Sequence, residues 1–135
     1  MIERTAEEWG RVAVSLPGWR WMPGMRYHYG GFSAATGASE NYVDRLWEDD
    51  AGPYDHAIFP APDPNDPATF GCILELYSNS PGWHWVEVDA VEYGYRLCTW
   101  MGRGSPVVRG PLARNPSIAV IAAAEALGRW PGGAS

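Results

Sequence analysis

The residues best suited to chemistry lie between Arg103 and Ser117, in a loop rich in arginine and glycine that leads into a predicted helix. Arg103, Arg109 and Arg114 supply guanidinium groups, and Asn115 followed by a proline is typical of a helix start. Free backbone amides, the helix dipole and guanidinium groups all favour a bound phosphate or carboxylate. The alternative, an ordinary surface loop that carries three arginines, stays open.

Aromatic residues in the strands predicted just before this loop could complete a ligand site. Flat aromatic faces beside arginine are suited to stacking a base and holding its phosphates. Packing of the same rings in the core of a small domain is the competing interpretation. The predicted ligand-binding residues are therefore Trp83, Trp85, Tyr95, Trp100, Arg103, Arg109, Arg114, Asn115 and Ser117.

Catalytic and metal-binding patterns are weaker. Glu87 and Asp89 fall on one face of a predicted strand, about 7 Å apart, where a paired-carboxylate site or a solvated sheet face are both consistent with the pattern. His28, His56 and His84 are too far apart in sequence for a zinc motif. We therefore expect no metal, no cofactor and no catalytic set, and a small hydrolase that uses Glu87, Asp89 or His84 is the least favoured function.

Charge is unevenly distributed along the chain. The net charge is −6, all ten basic residues are arginine, and residues 40–89 contain eleven acidic residues against Arg45 alone. Residues 90–135 contain five arginines against Glu92 and Glu125. We therefore expect no direct binding to nucleic acids, because such binding requires basic residues that neutralise the phosphates, and this chain is acidic overall. The basic third could hold a small anion, and the acidic middle could face a basic protein.

Three helices and several strands are predicted to position these residues. Helix signals are the capping box that begins at Thr5, Asp66 before a proline, and Asn115 before a proline. These helices should run to about Ser15, to about Tyr77 and to Leu127, the last ending at Gly128. Strands are predicted by alternation near residues 19–22, 26–29, 42–47, 83–89 and 93–100.

Adjacent strand pairs between separated helices predict an α+β fold, with one antiparallel sheet of about four to five strands covered by about three helices. Residues 1–135 should form a single domain, with a long proline-rich loop at 48–66 and a flexible tail at 130–135. Val86, Val88 and either Leu97 or Cys98 should face the helices, after a turn near Ala90. A polar, acidic start and no long apolar run predict a cytoplasmic protein without a membrane span.

Two segments carry a family resemblance. Residues 16–25, LPGWRWMPGM, resemble a segment that recurs in small uncharacterised bacteriophage and prophage proteins. Residues 66–127, with helix, tryptophan-rich strand, second strand and alanine-rich helix, are similar to a phage α-β-α sandwich domain. The resemblance implies a phage accessory role such as counter-defence, in the host cytoplasm, and it brings no catalytic residues with it.

The leading hypothesis is a non-catalytic protein that binds and sequesters a small anionic, nucleotide-like ligand. The alternative is an acidic inhibitor that binds a host protein through the acidic middle of the chain. We also expect a homodimer, because a small domain rich in exposed aromatic residues tends to find a partner.

Overall fold

The computed structural model describes residues 3–79 and 85–132. Its elements, in chain order, are α1 (Ala6–Ser15), β1 (Arg26–Ser33), β2 (Ala38–Arg45), β3 (Ile58–Pro62), α2 (Pro67–Ser78), β4 (Trp85–Val91), β5 (Gly94–Trp100), β6 (Val108–Arg109) and α3 (Pro116–Leu127).

The helices begin and end where local sequence predicts. Thr5 and Glu8 form the reciprocal capping box of α1, and Asp66 caps α2 by accepting from the Thr69 amide. Gly128 ends α3 with φ 85°, in the left-handed region that favours glycine. None of the helices in the described ranges is long and apolar enough to cross a bilayer.

The strands form two antiparallel three-stranded sheets within the described residues. Sheet A has the order β2-β1-β3, and sheet B has the order β4-β5-β6. The α+β class is confirmed, but the single sheet of four to five strands is wrong. β1 is flanked on both sides by β2 and β3, so sheet A has no place beside its central strand for a strand of the later hairpin.

Several strand boundaries also differ from prediction. Residues 19–22 are not a strand, because their indoles pack inward, Trp19 on Trp130 at 5.6 Å and Trp21 on Tyr27 at 5.7 Å between ring centroids. Residues 30–41, which lie between the strands predicted near 26–29 and 42–47, belong to the hairpin of β1 and β2. The proline-rich segment 48–66 contains β3, an edge strand, where prolines are tolerated.

The core lies between the helices and one face of each sheet. Its largest fully buried side chain is Trp130, whose indole N–H donates to the Ala13 carbonyl at 2.8 Å. The core therefore extends into the segment predicted as a tail. In sheet B, Val86, Val88 and Leu97 pack with this core as predicted. The turn of that hairpin lies at residues 92–93 rather than near residue 90.

Candidate functional site

The predicted ligand-binding residues are divided between two regions of the fold. Trp85, Trp100 and Arg109 lie on sheet B, whereas Arg114 and Asn115 line a cleft at the start of α3. Arg103 is exposed in the loop after β5. Tyr95 lies on the face of β5 that carries buried Leu97, whereas Trp100 lies on the other face of the strand. Trp83 falls outside the described residues.

The cleft, which we call the N-terminal cleft, has a volume of about 860 Å³. It lies between the start of α1 and the start of α3, with Asn65 contributed by the turn before α2. Its polar and aromatic lining residues are Glu3, Arg4, Thr5, Trp9, Asn65, Arg114 and Asn115. The starts of two helices therefore face one recess, and the positive ends of their dipoles favour an anion there.

One wall of the cleft carries a cation stacked on an indole. The Arg4 guanidinium carbon lies 4.7 Å from the centroid of the Trp9 ring. Arg4 Nη1 also donates to Glu125 Oε1 at 2.7 Å. This hydrogen bond is the main reason why the pKa of Arg4 is raised. The guanidinium therefore has two partners, the Trp9 ring beneath it and the Glu125 carboxylate.

The second cation of the cleft is Arg114. Its Nη2 lies 2.5 Å from Glu3 Oε2, and the two side chains are 81% and 56% exposed. Ion pairs as exposed as this one contribute about 0–1 kcal/mol to stability. A bound anion could therefore replace Glu3 as the partner of Arg114 at little cost in folding free energy.

The backbone amides at the start of α3 are already occupied. Asn115 Oδ1 accepts from the amides of Ser117 and Ile118 at 2.7 and 3.2 Å. The sequence argument that these amides are free for a ligand is therefore wrong, although the helix dipole remains. Asn115 Nδ2 donates to Asn65 Oδ1 at 2.8 Å, which fixes the two amide groups at the cleft. Ser117 is fully buried and does not line the cleft.

A second cluster lies on the face of sheet B that points away from Leu97. We call it the acid–thiol face, and it consists of Trp85, Glu87, Asp89, Arg96, Cys98, Trp100 and Arg109. Register places Trp85 opposite Trp100, Glu87 opposite Cys98 and Asp89 opposite Arg96. This register brings together three predicted ligand-binding residues and the two carboxylates that sequence alternation placed on one face.

The two carboxyl groups of the acid–thiol face share hydrogen bonding. A hydrogen bond with Asp89 raises the pKa of Glu87, and the same bond, followed by one from Cys98, lowers the pKa of Asp89. Cys98 Sγ donates to Asp89 Oδ2 at 3.3 Å. Burial, and then this carboxylate, raise the pKa of Cys98. The pair can take up one proton at Glu87, and the thiol remains protonated at neutral pH, which makes it a poor nucleophile.

Catalysis at the acid–thiol face gains no support from this geometry. Glu87 and Asp89 hydrogen-bond with each other, so each carboxyl group is engaged with the other rather than with a substrate or water positioned between them. Within residues 3–79 and 85–132, no group of three or more His, Cys, Asp or Glu side chains could hold a metal ion. His84, the third candidate for a hydrolase, lies outside those residues.

Sequence reasoning missed Arg4, Trp9 and Asn65, which line the N-terminal cleft with two of the predicted residues. The capping box at Thr5 does place Arg4 at the start of α1. No periodicity, however, connects residues near position 4 with those near 65 and 114. Cys98 could have been found, since it alternates with Arg96 and Trp100 along β5.

Comparisons of this chain with known protein families, with curated proteins and with solved structures give no match.

Proposed function

We propose that this chain binds a small anionic, nucleotide-like ligand in the N-terminal cleft and holds it without converting it. The observation that carries the proposal is the stacked pair of Arg4 and Trp9 in the same recess as Arg114 and the starts of two helices. The acid–thiol face offers a tryptophan pair as well, but its carboxylates make it less suited to an anion.

The cleft contains a suitable group for each part of such a ligand. Arg4 and Arg114 supply guanidinium groups, which pair with phosphate oxygens in a bidentate manner. Trp9, whose ring lies against the Arg4 guanidinium, supplies an aromatic surface for a base in the same recess. Asn65 and Asn115 have amide groups that can donate to and accept from a base edge. The cleft also lies within the range of about 300–1,000 Å³ that is usual for small-molecule sites.

Binding without conversion follows from what the lining lacks. In the described part of the cleft, no Cys, His or Lys is present, and Thr5 Oγ1 already accepts from the Glu8 amide at 3.1 Å. Nucleophilic catalysis requires an activated nucleophile next to a base. Sequestration of a nucleotide signal, as the phage resemblance implies, needs only affinity.

Calorimetry and thermal unfolding test the proposal with AMP, ADP, cyclic AMP, a cyclic dinucleotide and inorganic phosphate as probes. At about 100 times Kd, a ligand stabilises the folded chain by about 2.7 kcal/mol. For a domain of this size, that corresponds to a rise in Tm of about 8 °C. Chromatography after prolonged incubation should recover the nucleotide unchanged, and the appearance of a product would contradict sequestration.

Arginine variants locate the site. Arg4→Gln and Arg114→Gln should each weaken binding about tenfold or more, since each removes a charged hydrogen bond to the ligand. Arg103→Gln is the matched control, because Arg103 is exposed and does not line the cleft. If Arg103→Gln abolishes binding while Arg4→Gln has no effect, the ligand binds at the loop instead. If no probe shifts Tm, the proposed function is refuted.

A further inference from the structure

Sheet A carries a group of tyrosine rings on one of its faces, which we call the tyrosine cluster. It consists of Tyr29 on β1, Tyr42 on β2 and Tyr54 in the segment between β2 and β3. Tyr29 and Tyr42 are directly opposite each other in the register, and their ring centroids lie 5.5 Å apart with 26° between the planes. Tyr54 meets Tyr29 at 6.2 Å between centroids and 69° between planes. The rings therefore present faces in two steeply inclined directions.

The tyrosine cluster continues from the core to the surface. Buried Tyr27, two residues before Tyr29 on the same face of β1, lies 5.4 Å from it between ring centroids. Tyr29 and Tyr42 are half-buried, whereas Tyr54 is 51% exposed. Gly31 leaves room for the ring of Tyr42, because a Cβ at this position would be 3.0 Å from Cε2 of that ring. The rings are thus fixed by packing on the core side, and solvent reaches the cluster at Tyr54.

Two carboxylates lie on the same face of the sheet as these rings. Alternation along β2 places Glu40, Tyr42 and Asp44 on one side. The Tyr42 hydroxyl donates to Glu40 Oε2 at 3.3 Å. The Tyr54 hydroxyl donates to Asp44, and this hydrogen bond, followed by the charge of Asp44, raises the pKa of Tyr54 to about 12. Each carboxylate is therefore bound to a ring of the cluster.

The negative charge of these two carboxylates is not compensated by any ion pair within the described residues. Their other hydrogen bonds come from neutral donors. Glu40 Oε1 accepts from the Thr36 hydroxyl at 3.1 Å, and Asp44 Oδ1 accepts from the backbone amide of Arg45 at 2.7 Å. The Arg45 guanidinium is bound to Asp66 at 2.8 Å instead. The tyrosine cluster therefore combines aromatic faces with free negative charge.

A cation is the ligand that suits this combination, because the faces of tyrosine rings attract positive charge. A primary ammonium is strongly hydrated and has three N–H groups that each need an acceptor. A methylated ammonium group has fewer N–H groups or none, so it needs fewer acceptors when it leaves water. In the cluster, the carboxylate oxygens already accept from protein donors, while the rings and the charge remain available. The chemistry of the site therefore favours the methylated group.

We infer that the tyrosine cluster binds a methylated ammonium group, with the rings of Tyr29, Tyr42 and Tyr54 as its contact surface and the carboxylates of Glu40 and Asp44 as its counter-ions. The group can belong to a free small cation or to a methylated lysine of another protein, since both present the same chemistry to the rings. A phosphate is disfavoured here by the two carboxylates. The inference is thus separate from the anionic ligand proposed for the N-terminal cleft.

A titration followed by NMR at the tyrosine ring protons, at constant ionic strength, tests the inference with matched probes. Choline is compared with 3,3-dimethylbutan-1-ol, which has the same shape without the charge, and with ammonium, which has the charge without the methyl groups. Choline should bind at least about tenfold more tightly than either of them. Equal binding of the alcohol would show that only apolar contact acts, equal binding of ammonium would show that only charge acts, and either result would overturn the inference.

Two peptides identify the source of the methylated group. They share a short neutral sequence that contains trimethyllysine in one peptide and lysine in the other. Tighter binding of the trimethyllysine peptide than of choline would assign the site to a modified protein, and the lysine peptide should then bind at least about tenfold more weakly. Tighter binding of choline would assign the site to a free small cation. If neither choline nor the trimethyllysine peptide binds, the inference is refuted.

Ring variants assign binding to the tyrosine cluster. Tyr54→Leu should weaken choline binding about tenfold, because leucine keeps apolar bulk but has no aromatic face, whereas Tyr54→Phe should weaken it less than about threefold. Tyr93→Leu is the matched control, since Tyr93 is 80% exposed at the turn of the other sheet. Circular dichroism checks that each variant folds. Unchanged binding in Tyr54→Leu, or an equal loss in Tyr54→Phe, overturns the inference.

A double variant tests the counter-ions. Glu40→Gln combined with Asp44→Asn keeps the size of both side chains and removes their charge, so it should weaken choline binding about tenfold or more and leave binding of the neutral alcohol unchanged. Glu92→Gln is the control, because Glu92 is exposed at the β4–β5 turn. Choline binding that survives the loss of both charges would contradict the proposed site.

Discussion

Asp66 allows the sharpest test of how this fold is stabilised, because one buried carboxylate joins three parts of the chain. It accepts two hydrogen bonds from Arg45 at 2.8 and 3.0 Å, and two from the amide and hydroxyl of Thr69, both at 3.0 Å. Thr69 also accepts from the Arg26 amide at 2.8 Å. The end of β2, the start of β1 and the start of α2 therefore meet at this group.

These contacts set the size of the expected effect. The hydrogen bond from Arg45, followed by those from Thr69, lowers the pKa of Asp66 to about 2 against burial, which would raise it. A carboxyl of this type ordinarily titrates near 3.9, and each pKa unit corresponds to about 1.36 kcal/mol. The ionised Asp66 carboxylate therefore contributes at most about 2.5 kcal/mol to the free energy of unfolding at neutral pH. Because the side chain of Arg45 is 31% exposed, water screens part of the pair, and we expect about 1.5–2.5 kcal/mol.

The sign follows from the direction of the shift. A depressed pKa means that the folded state favours the ionised carboxylate, so Asp66 contributes its full stability above the unfolded pKa near 4. The contribution falls as the pH drops from about 4 to about 2 and is absent below both values. Asp66 should therefore stabilise the fold at pH 7 and contribute little near pH 2.

Asp66→Asn is the appropriate perturbation, since Asn keeps the shape and is an equally good helix cap. Urea unfolding of the variant should give a free energy about 1.5–2.5 kcal/mol lower than that of the parent chain at pH 7. The difference should shrink to less than about 0.5 kcal/mol near pH 2, where about half of the folded-state carboxyl groups and almost all of the unfolded-state ones are protonated. Glu75→Gln, at an exposed position of the same helix, is the control and should change little at either pH. A difference that is equal at both pH values would refute the electrostatic reasoning and assign the effect to packing.

Three further predictions concern single side chains. Trp130→Phe should lower the free energy of unfolding by about 2–3 kcal/mol in urea, because it leaves the buried Ala13 carbonyl without the indole donor; a loss below about 0.5 kcal/mol would contradict this. Phe59→Gly should raise Tm by a few degrees, because Phe59 is 79% exposed and has φ 49°, a conformation that favours glycine. The substitution relieves about 1–2 kcal/mol of backbone strain in the folded state, which exceeds the free energy that the unfolded chain gains from the added flexibility of glycine. A lower Tm would show that the ring packs more than its exposure suggests. In a Cys72→Ser background, Cys98 of the folded chain should react with a disulfide reagent at least about tenfold more slowly than Cys98 of the chain unfolded in urea, because it is 1% exposed and its pKa is raised. Equal rates in the two states would contradict its burial.

Helix ends could be predicted because their causes are local. The signals at Thr5, Asp66, Asn115 and Gly128 each act within four residues, and the structure has caps at all four positions. Alternation in β4 likewise placed Val86 on the core side, since side chains alternate between the two faces along a strand whatever its partner is.

Sheet organisation could not be predicted, because it depends on long-range pairing. β3 contains Pro60 and Pro62, which argue against a strand when the sequence alone is considered. Its position at an edge removes that objection, but the edge exists only once β1 has paired with β2 on its other side. The N-terminal cleft has the same origin, as it joins Arg4 to Arg114 across most of the chain.

Helix α1 forms one wall of the N-terminal cleft, and the way it packs on sheet A decides whether the cleft keeps its shape when a ligand binds. Its start lines the cleft through Thr5 and Ala6, and Trp9 lines it one turn further along. Gly10 packs so closely on Pro62 that even a methyl group would be about 2.5 Å from the carbonyl oxygen. A ligand that moved α1 toward the sheet would meet that carbonyl at once. A shift of this kind requires an element with two arrangements of similar free energy, and this contact leaves α1 only one on that side, so a ligand should find that wall of the cleft already in place.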